Sequence, residues 1–451
     1  MIQIVGGGLA GSEAAWQIAA RGISVVLYEM RPVRTTRVHK TDRLAELVCS
    51  NSFRGAKLEN AVGLLKEEMR RLGSLIMKVA GATSVPAGGA LAVDRELFAK
   101  GVTEAIERNP LIEVRREEVS RLPVPSDNSS PVIIATGPLT SSSLSTDIAE
   151  LVGQEHLYFY DAISPVVMAD SIDREKVFRA SRWDTDSSEG DYLNCPFNRY
   201  EYQALYEALV AAELTEIHDF DQARFFEGCL PVEIMARRGP DTLRFGPMKP
   251  IGLTDPKTGR RPYAVVQLRQ DNIAADHYSL VGFQTQLKWG EQRRVLRMIP
   301  GLEQGEFERF GMIHRNTYIN APTVLTAAWH MREHPRIFFA GQISGVEGYV
   351  ESAASGLIAG LNAVAVVQGR PVCVPPRTTA IGALGHYVAN AEPINYQPTN
   401  IAFGLIPALD QPPRNKRERR QAISKRALRD LAEWSHNVMV KSDEKASPVF
   451  S

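Results

Sequence analysis

The chain of 451 residues is 44% hydrophobic and 23% charged, and its 52 basic residues balance its 52 acidic ones. This composition excludes a disordered or collagen-like chain, and the zero net charge excludes a polycation that holds nucleic acid by bulk charge, though not a local basic patch. Four cysteines without CxxC spacing exclude a disulfide scaffold or a zinc cluster and point to a reducing, cytoplasmic setting.

The first predicted element is a short buried strand, Ile2 to Val5, followed at once by Gly6, Gly7, Gly8, Leu9, Ala10 and Gly11. A helical pattern runs from Ser12 to about Arg21, Gly22 stops it, and a second buried strand from Ile23 to Tyr28 ends at Glu29. Strand, GxGxxG, helix, strand and acid make a dinucleotide-binding unit. Gly6 permits the tight turn, Gly8 lets the backbone approach a pyrophosphate, and Gly11 lets the helix lie close to the strand. Glu29, 18 residues past Gly11, is positioned to accept from ribose hydroxyls. The apolar start lacks a basic n-region and is broken by Glu13, unlike a signal peptide. No run approaches about 18 uninterrupted apolar residues, so no membrane span is predicted.

Two later segments repeat the nucleotide theme. One strand ends in Ala135, Thr136, Gly137 and Pro138. Another, Arg336 to Ala340, leads into Gly341, Gln342, Gly345 and Gly348 and then a small-residue helix from Glu351 to about Val367. Ala353, Gly356, Ala359 and Gly360 let that helix approach another backbone. Turns so dispersed favour FAD over NAD. A simple NAD dehydrogenase carries one contiguous unit, whereas flavoproteins of the glutathione-reductase type bring a second helix to FAD from far along the chain. The fold class expected is α/β: a Rossmann-like FAD-binding domain of that type with an inserted α+β domain. The expected division is 1–164 and 316–435 for the FAD-binding domain and 165–315 for the insertion, with 436–451 a mobile tail. Within the insertion, alternation from Tyr263 to Arg269 predicts a strand; before it, in the FAD-binding part, Ser126 to Ser130 reads as a loop.

Cys49 follows the apolar Leu47 and Val48 and precedes Ser50, Asn51 and, farther on, Arg54. Such a passage from an element end into a loop or helix start can stabilise a thiolate, the alternative being a small core cysteine. Cys229 lies between Gly228 and Pro231, with Glu227, Glu233, Arg237 and Arg238 around it, a polar setting for an inert thiol. Asp241 to Pro250 follows; Arg244 and Lys249 there suit either a loop that grips an anion or a solvated surface. Cys195 and Cys373 read as structural. His330 and His334 have HxxxH spacing without the HExxH glutamate, and Pro335 follows at once, so no metal site is assigned. From Arg414 to Arg429, eight basic residues, Arg419 and Arg420 among them, face one acid. On a helix they form either a solvated face or a contact for RNA phosphates.

Together these segments resemble the folate- and FAD-dependent tRNA uridine-5-methyltransferases, the TrmFO family. The resemblance rests on GGGLAGSEAAW from Gly6 to Trp16, EMRP from Glu29 to Pro32, LAELVCSNS from Leu44 to Ser52 and ATGPLTS from Ala135 to Ser141. It continues through FEGCLPVE from Phe226 to Glu233, DTLRFGPMKP from Asp241 to Pro250, GFQTQLKWGEQ from Gly282 to Gln292 and GQISGVEGYVESAASGL from Gly341 to Leu357. Arg37 and Val38 depart from the small residues or proline usual before His39.

The resemblance implies methylation of carbon 5 of a T-loop uridine in tRNA. The carbon comes from 5,10-methylenetetrahydrofolate, reduced FAD takes part, and NAD(P)H regenerates it. No membrane and no stable protein partner are implied. Cys49 and Cys229 coincide with the two cysteines implicated in the family, and thiolate addition at carbon 6 of uracil makes carbon 5 nucleophilic. Cys229, neighbouring the basic loop to Lys249, is read as the uracil-activating thiol and Cys49 as the thiol beside the isoalloxazine. Gly6, Gly7, Gly8, Leu9, Ala10, Gly11, Glu29, Gly341, Gln342 and Gly348 are expected around FAD. Arg244, Lys249, Arg419 and Arg420 are expected on RNA. The alternatives are a wobble-uridine-modifying flavoprotein, which is longer, an rRNA uridine methyltransferase of the same family, and an NAD(P)H-dependent flavin oxidoreductase, which needs a second complete GxGxxG unit.

Overall fold

Runs such as Ile2–Val5 and Ile337–Phe339 have no exposed face, and strands of that kind build a parallel sheet covered by helices on both sides. The computed structural model describes residues 1–36, 38–123, 125, 130–153, 157–182, 190–215, 230–394 and 396–443. In it five strands align in the order β16 (Ile337–Phe339), β7 (Val132–Ile134), β1 (Ile2–Val5), β2 (Val25–Glu29) and β6 (Ile112–Arg116), all parallel. The strand nearest the end of the sequence thus lies two places from the first, and Ile4 sits in register with both Leu27 and Ile133.

A six-stranded antiparallel sheet follows the order β10 (Phe178–Arg179), β11 (Tyr192–Phe197), β12 (Ala264–Gln270), β13 (His277–Leu280), β9 (Val166–Met168) and β14 (Phe307–Arg309). The ribbon of β8 (Leu157–Ala162) and β15 (Ile313–Tyr318) carries the chain into this sheet and back out. A small sheet of β3 (Ser52–Gly55), β5 (Ala90–Val93) and β4 (Ser84–Val85) completes the set among the described residues. Each large sheet has its own apolar cluster: Ile4, Leu27, Ile133 and Phe338 belong to one, and Val167, Phe197, Leu268 and Phe283 to the other.

Helices α1 (Leu9–Ala19), α2 (Ala61–Arg71), α3 (Leu75–Ala82), α4 (Arg95–Glu107) and α5 (Ser142–Val152) precede the six-stranded sheet. Helices α6 (Arg199–Ala211), α7 (Val232–Arg237), α8 (Thr242–Phe245) and α9 (Trp289–Leu296) accompany it. Helices α10 (Ala321–Val324), α11 (Tyr349–Val367), α12 (Ala380–Asn390) and α13 (Lys416–Asp443) come after it. Helices α1 and α11 pack backbone to backbone. A Cβ on Gly356 would stand 2.1 Å from the Ala10 carbonyl oxygen, so a larger residue forces the helices apart. With a mean hydropathy of 1.6, α11 is long and apolar enough to cross a membrane, which the sequence reading did not anticipate. In the fold, 78% of that stretch is buried, and its Glu351 pairs with Arg54.

Helix α13 buries Ile423, Ala427, Leu428 and Leu431 against the first core, so the basic stretch has an apolar face at helical spacing. It runs on to Asp443, through residues the sequence reading left to a mobile tail, while 444–451 lie outside the described residues. Residues 126–129 of the expected loop also lie outside them.

Candidate functional site

The glycines after β1 divide into two kinds. Gly6 has φ +109°, and a Cβ there would stand 2.4 Å from the Ala135 carbonyl oxygen; a Cβ on Gly11 would stand 1.8 Å from the Gly6 carbonyl oxygen. Both are required by the protein's own packing. Gly8 is extended, caps α1, and its Cβ would meet nothing within 4 Å. The space in front of it belongs to a cavity of 170 Å³ lined by Gly6 to Ala10, Glu29, Ala135 to Ser141, Gly341 and Gln342. Three turns dispersed along the sequence therefore meet at one cavity. The first turns of α1 and α11 both line it, through Leu9 and Ala10 and through Tyr349 and Ser352. Unpaired N–H groups and helix dipoles favour phosphate there. The open cradle at Gly8 and the two helix ends fit a dinucleotide such as FAD. Gly11 and Gly348 are not on the lining. Gly348, at φ +104°, caps α11, where a Cβ would stand 2.6 Å from the Glu351 carboxylate.

Glu29, the expected ribose acceptor, lines the cavity, and its carboxylate is also engaged within the protein. It accepts from the N–H of Gly7 (3.1 Å), the N–H of Arg31 (3.0 Å) and the Arg31 guanidinium (2.9 and 3.2 Å). Burial alone would raise its pKa; Arg31 outweighs burial and holds it below the usual carboxylate range. Glu29 thus fixes the glycine turn. Arg31, which also bonds Glu46 (3.0 Å), is a residue the sequence reading passed over, although it stands within the quoted EMRP run.

Cys49 lies in a bend before β3, not at a helix start. Its N–H and that of Ser50 both donate to the Tyr349 hydroxyl (2.9 and 3.0 Å). Its Sγ lies 3.9 Å from the Ala162 carbonyl oxygen. Arg54, expected nearby, pairs instead with Glu351. Three other arginines surround the loop. Arg309 donates to the carbonyls of Val48 (3.0 Å) and Cys49 (3.5 Å), and Arg269 donates to Asn51 (2.8 Å) and Ser50 (2.9 Å). Arg95 donates to the Leu47 carbonyl and pairs with Asp271 (3.0 Å). All three are in electrostatic contact with Cys49. Burial and the neighbouring Arg95 push Arg309 down to about 10, which leaves it cationic at neutral pH. Three guanidinium groups against one carboxylate leave net positive charge around the loop. Cys49 itself is not on the cavity lining, but its neighbour Val48 and its partner Tyr349 are. A second cavity, of 200 Å³, meets the first at Glu46 and Val48 and is walled by Arg43, Arg95, Asp271 and Arg309.

Cys229 falls in 216–229, outside the described residues. The chain on either side is anchored to one stretch: Thr215 N–H donates to Gln286 (2.8 Å) and Val232 N–H to Gln284 (2.7 Å). The buried Glu233 accepts from Thr285 and Gln286 beside them. Cys195 is buried, and burial pushes its thiol far up, which leaves it inert.

The basic residues differ from the sequence reading in how free they are. Asp241 to Pro250 opens on α8 rather than a loop, and Arg244 stacks on Tyr263 (3.8 Å) and pairs with Asp241 (2.8 Å). Lys249 is exposed. On α13, Arg420 donates to the Glu59 carbonyl (3.4 Å) and lies 5.7 Å from the Phe403 ring, whereas Arg419 is exposed. His330 bonds the Met331 carbonyl (2.8 Å) in an extended turn. Among the described residues, no group of three His, Cys, Asp or Glu is arranged to hold a metal.

A dinucleotide cavity closed by a strand from far along the chain, with a second sheet on its thiol side, defines a class. The family model described as "Glucose inhibited division protein A" matches residues 1–371. The solved structure of Aquifex aeolicus GidA in its form II crystal shares the fold, with a TM-score of 0.68 at 15% identity over 98% of this chain and 76% of that one. Within the class, the chain is 57% identical over 438 residues to the "Methylenetetrahydrofolate--tRNA-(uracil-5-)-methyltransferase TrmFO" of Pelotomaculum thermopropionicum (97% of this chain, 99% of that protein). It is 59% identical over 437 residues to the protein of the same name from Symbiobacterium thermophilum (96% and 97%). The chain belongs to the TrmFO family.

Proposed function

We propose that this chain methylates carbon 5 of a T-loop uridine in tRNA, with the carbon drawn from 5,10-methylenetetrahydrofolate and FAD held in the cavity at Gly6 to Ala10. The observation that carries the reading is the meeting of three sequence-distant turns at one cavity whose edge, at Val48 and Tyr349, holds the Cys49 loop. Near full-length likeness to the named methyltransferases supports the substrate and the reaction.

Bound FAD supplies the redox and one-carbon carrier chemistry. The N–H groups at Gly8 to Ala10 and the start of α11 hold its phosphates, and Gln342 and Gly341 close the far wall. The folate substrate is assigned to the second cavity, because it adjoins the first and carries Arg43 on its wall for a carboxylate. Cys229 adds as thiolate to carbon 6 of the uracil, and carbon 5, made nucleophilic, bonds to the one-carbon unit; loss of the carbon-5 proton and elimination of the thiol restore the ring, and the hydride equivalent that brings the added carbon to a methyl group would come from the reduced cofactor. Cys49, held beside three arginines, would stand at the flavin side of the cavity and either protect the flavin or serve there as acid/base. Arg244, Lys249, Arg419 and Arg420 contact RNA. NADH or NADPH serves as reductant, and the enzyme works in the cytoplasm without a membrane or stable protein partner.

The test is reconstitution with FAD, methylenetetrahydrofolate, NADH or NADPH and a T-arm transcript, read by nucleoside mass spectrometry. The expected product is 5-methyluridine, formed by wild type and lost in Cys229→Ala while the protein stays yellow. Wild-type turnover by Cys229→Ala overturns the assignment of that thiol; no methylated nucleoside from the wild type overturns the function.

A further inference from the structure

The exposed face of α9 opens on an aromatic side chain. Trp289, its first residue, is 66% exposed. Its indole is stacked toward Phe310 at 6.4 Å and a 29° tilt, and Phe310 is stacked toward Phe307 at 5.5 Å and the same tilt. The inner two rings pack on the second core, so the outer indole is held by a fixed stack and open on its other side. The Arg293 guanidinium lies 5.8 Å from the Phe310 ring centre. Lys288 and Arg294 are taken by Glu213 and Glu291, but among the described residues no carboxylate pairs with Arg293.

Position gives this stack its meaning. Phe310 follows Arg309, whose guanidinium holds the Val48 and Cys49 carbonyls. Trp289 follows Gln284 to Lys288, the stretch that anchors Thr215 and Val232 on either side of the segment carrying Cys229. The stack therefore stands where the supports of both cysteine-bearing segments converge. A uridine modified at carbon 5 must leave its base stack to reach a thiol, and the bases it leaves lose their partners.

We propose that Trp289, backed by Phe310 and Phe307 and flanked by Arg293, is a stacking platform for an unstacked nucleobase of the RNA substrate. A protein partner would call for a broad apolar patch, but Trp289 is bordered by Lys288, Gly290, Glu291, Arg293 and Arg294. One open indole beside a free cation suits a base on a polyanionic strand. The proposal rests on the tRNA reading above.

The test compares Trp289→Ala and Trp289→Phe with wild type for binding of a T-arm transcript and for methylation. Trp289→Ala is expected to weaken binding about ten-fold. Trp289→Phe should stay within about three-fold, because a smaller aromatic face remains. The slope of log affinity against log salt should not change in Trp289→Ala, since no charge is removed, and FAD content and thermal midpoint should match wild type. Wild-type affinity in Trp289→Ala overturns the platform, and the tRNA reading survives if that variant still methylates. A change of oligomeric state by light scattering with RNA affinity intact also overturns it, in favour of a protein contact. Equal loss in the Ala and Phe variants with lowered FAD content overturns it in favour of a packing role.

Discussion

The backbone N–H of Cys49 donates to the hydroxyl of Tyr349 across 300 positions of sequence (2.9 Å). The same oxygen accepts from Ser50, and burial and the nearby Cys49 push the phenol's pKa up, so it stays neutral. Tyr349 is the first residue of the helix whose start lines the dinucleotide cavity. Tyr349→Phe keeps the ring contact with Phe53 but leaves two N–H groups without their acceptor. The expected loss is about 1–3 kcal/mol in urea unfolding. The rate constant kcat should fall with KM for tRNA unchanged; unchanged stability and rate would show that the hydroxyl does not hold the loop.

Arg309 reaches the same loop from the other sheet. Its removal should raise the pH at which Cys49 alkylates. In Arg309→Met the rate–pH profile of that peptide, followed by mass spectrometry, is expected to move to higher pH. Arg309→Lys should recover part of the shift. A profile that does not move would assign the guanidinium to backbone support alone.

The two kinds of turn glycine predict opposite phenotypes. Gly8→Val should purify folded but colourless, because its side chain enters the cavity and touches no protein atom within 4 Å at Cβ. Gly6→Val should fail to accumulate, because its Cβ collides with Ala135. A yellow Gly8→Val protein, judged by flavin absorbance, would move the pyrophosphate elsewhere.

Buried Lys66 donates to the Phe53 and Arg54 carbonyls (2.8 and 3.0 Å), and burial, aided by Arg54 and Arg70, lowers its pKa to about 7. An unfolded lysine keeps its proton to about 10.4. Between these values the unfolded chain binds the extra proton, so stability rises with pH by up to about 1.4 kcal/mol per unit. Below the folded value both states are protonated and the term is flat. Urea midpoints taken across that window should show the rise in wild type and lack it in Lys66→Met.

On α13, Arg419→Ala should weaken tRNA binding and reduce the salt slope by about one, with the thermal midpoint unchanged. Arg420→Ala should lower the midpoint, because its guanidinium already serves Glu59 and Phe403. If Arg419→Ala leaves both affinity and slope at wild-type values, the helix is a solvated face.

What could be read from the sequence was local in sequence. Gly6, Gly11 and Glu29 sit in one short unit whose spacing encodes strand, turn and helix, and the strand expected at Tyr263 to Arg269 is found one residue along, at Ala264–Gln270. Arg95, Arg269 and Arg309 could not be read that way. They come from three elements, and only folding gives them a common neighbour in Cys49. The same holds for Glu29, where Arg31 and the Gly7 N–H make the acid on the cavity wall also the brace of a glycine turn. Charge hid the apolar face of α13, because Ile423, Ala427, Leu428 and Leu431 are dispersed among arginines in the sequence.

The contact of Gly356 with the Ala10 carbonyl has a consequence for synthesis. Helix α1 waits for a partner made much later in the chain, and the five-stranded sheet lacks its β16 edge until that strand is made. A chain halted before β16 lacks the Gly341 turn and α11, so the cavity assigned to FAD gains its last wall only late in synthesis.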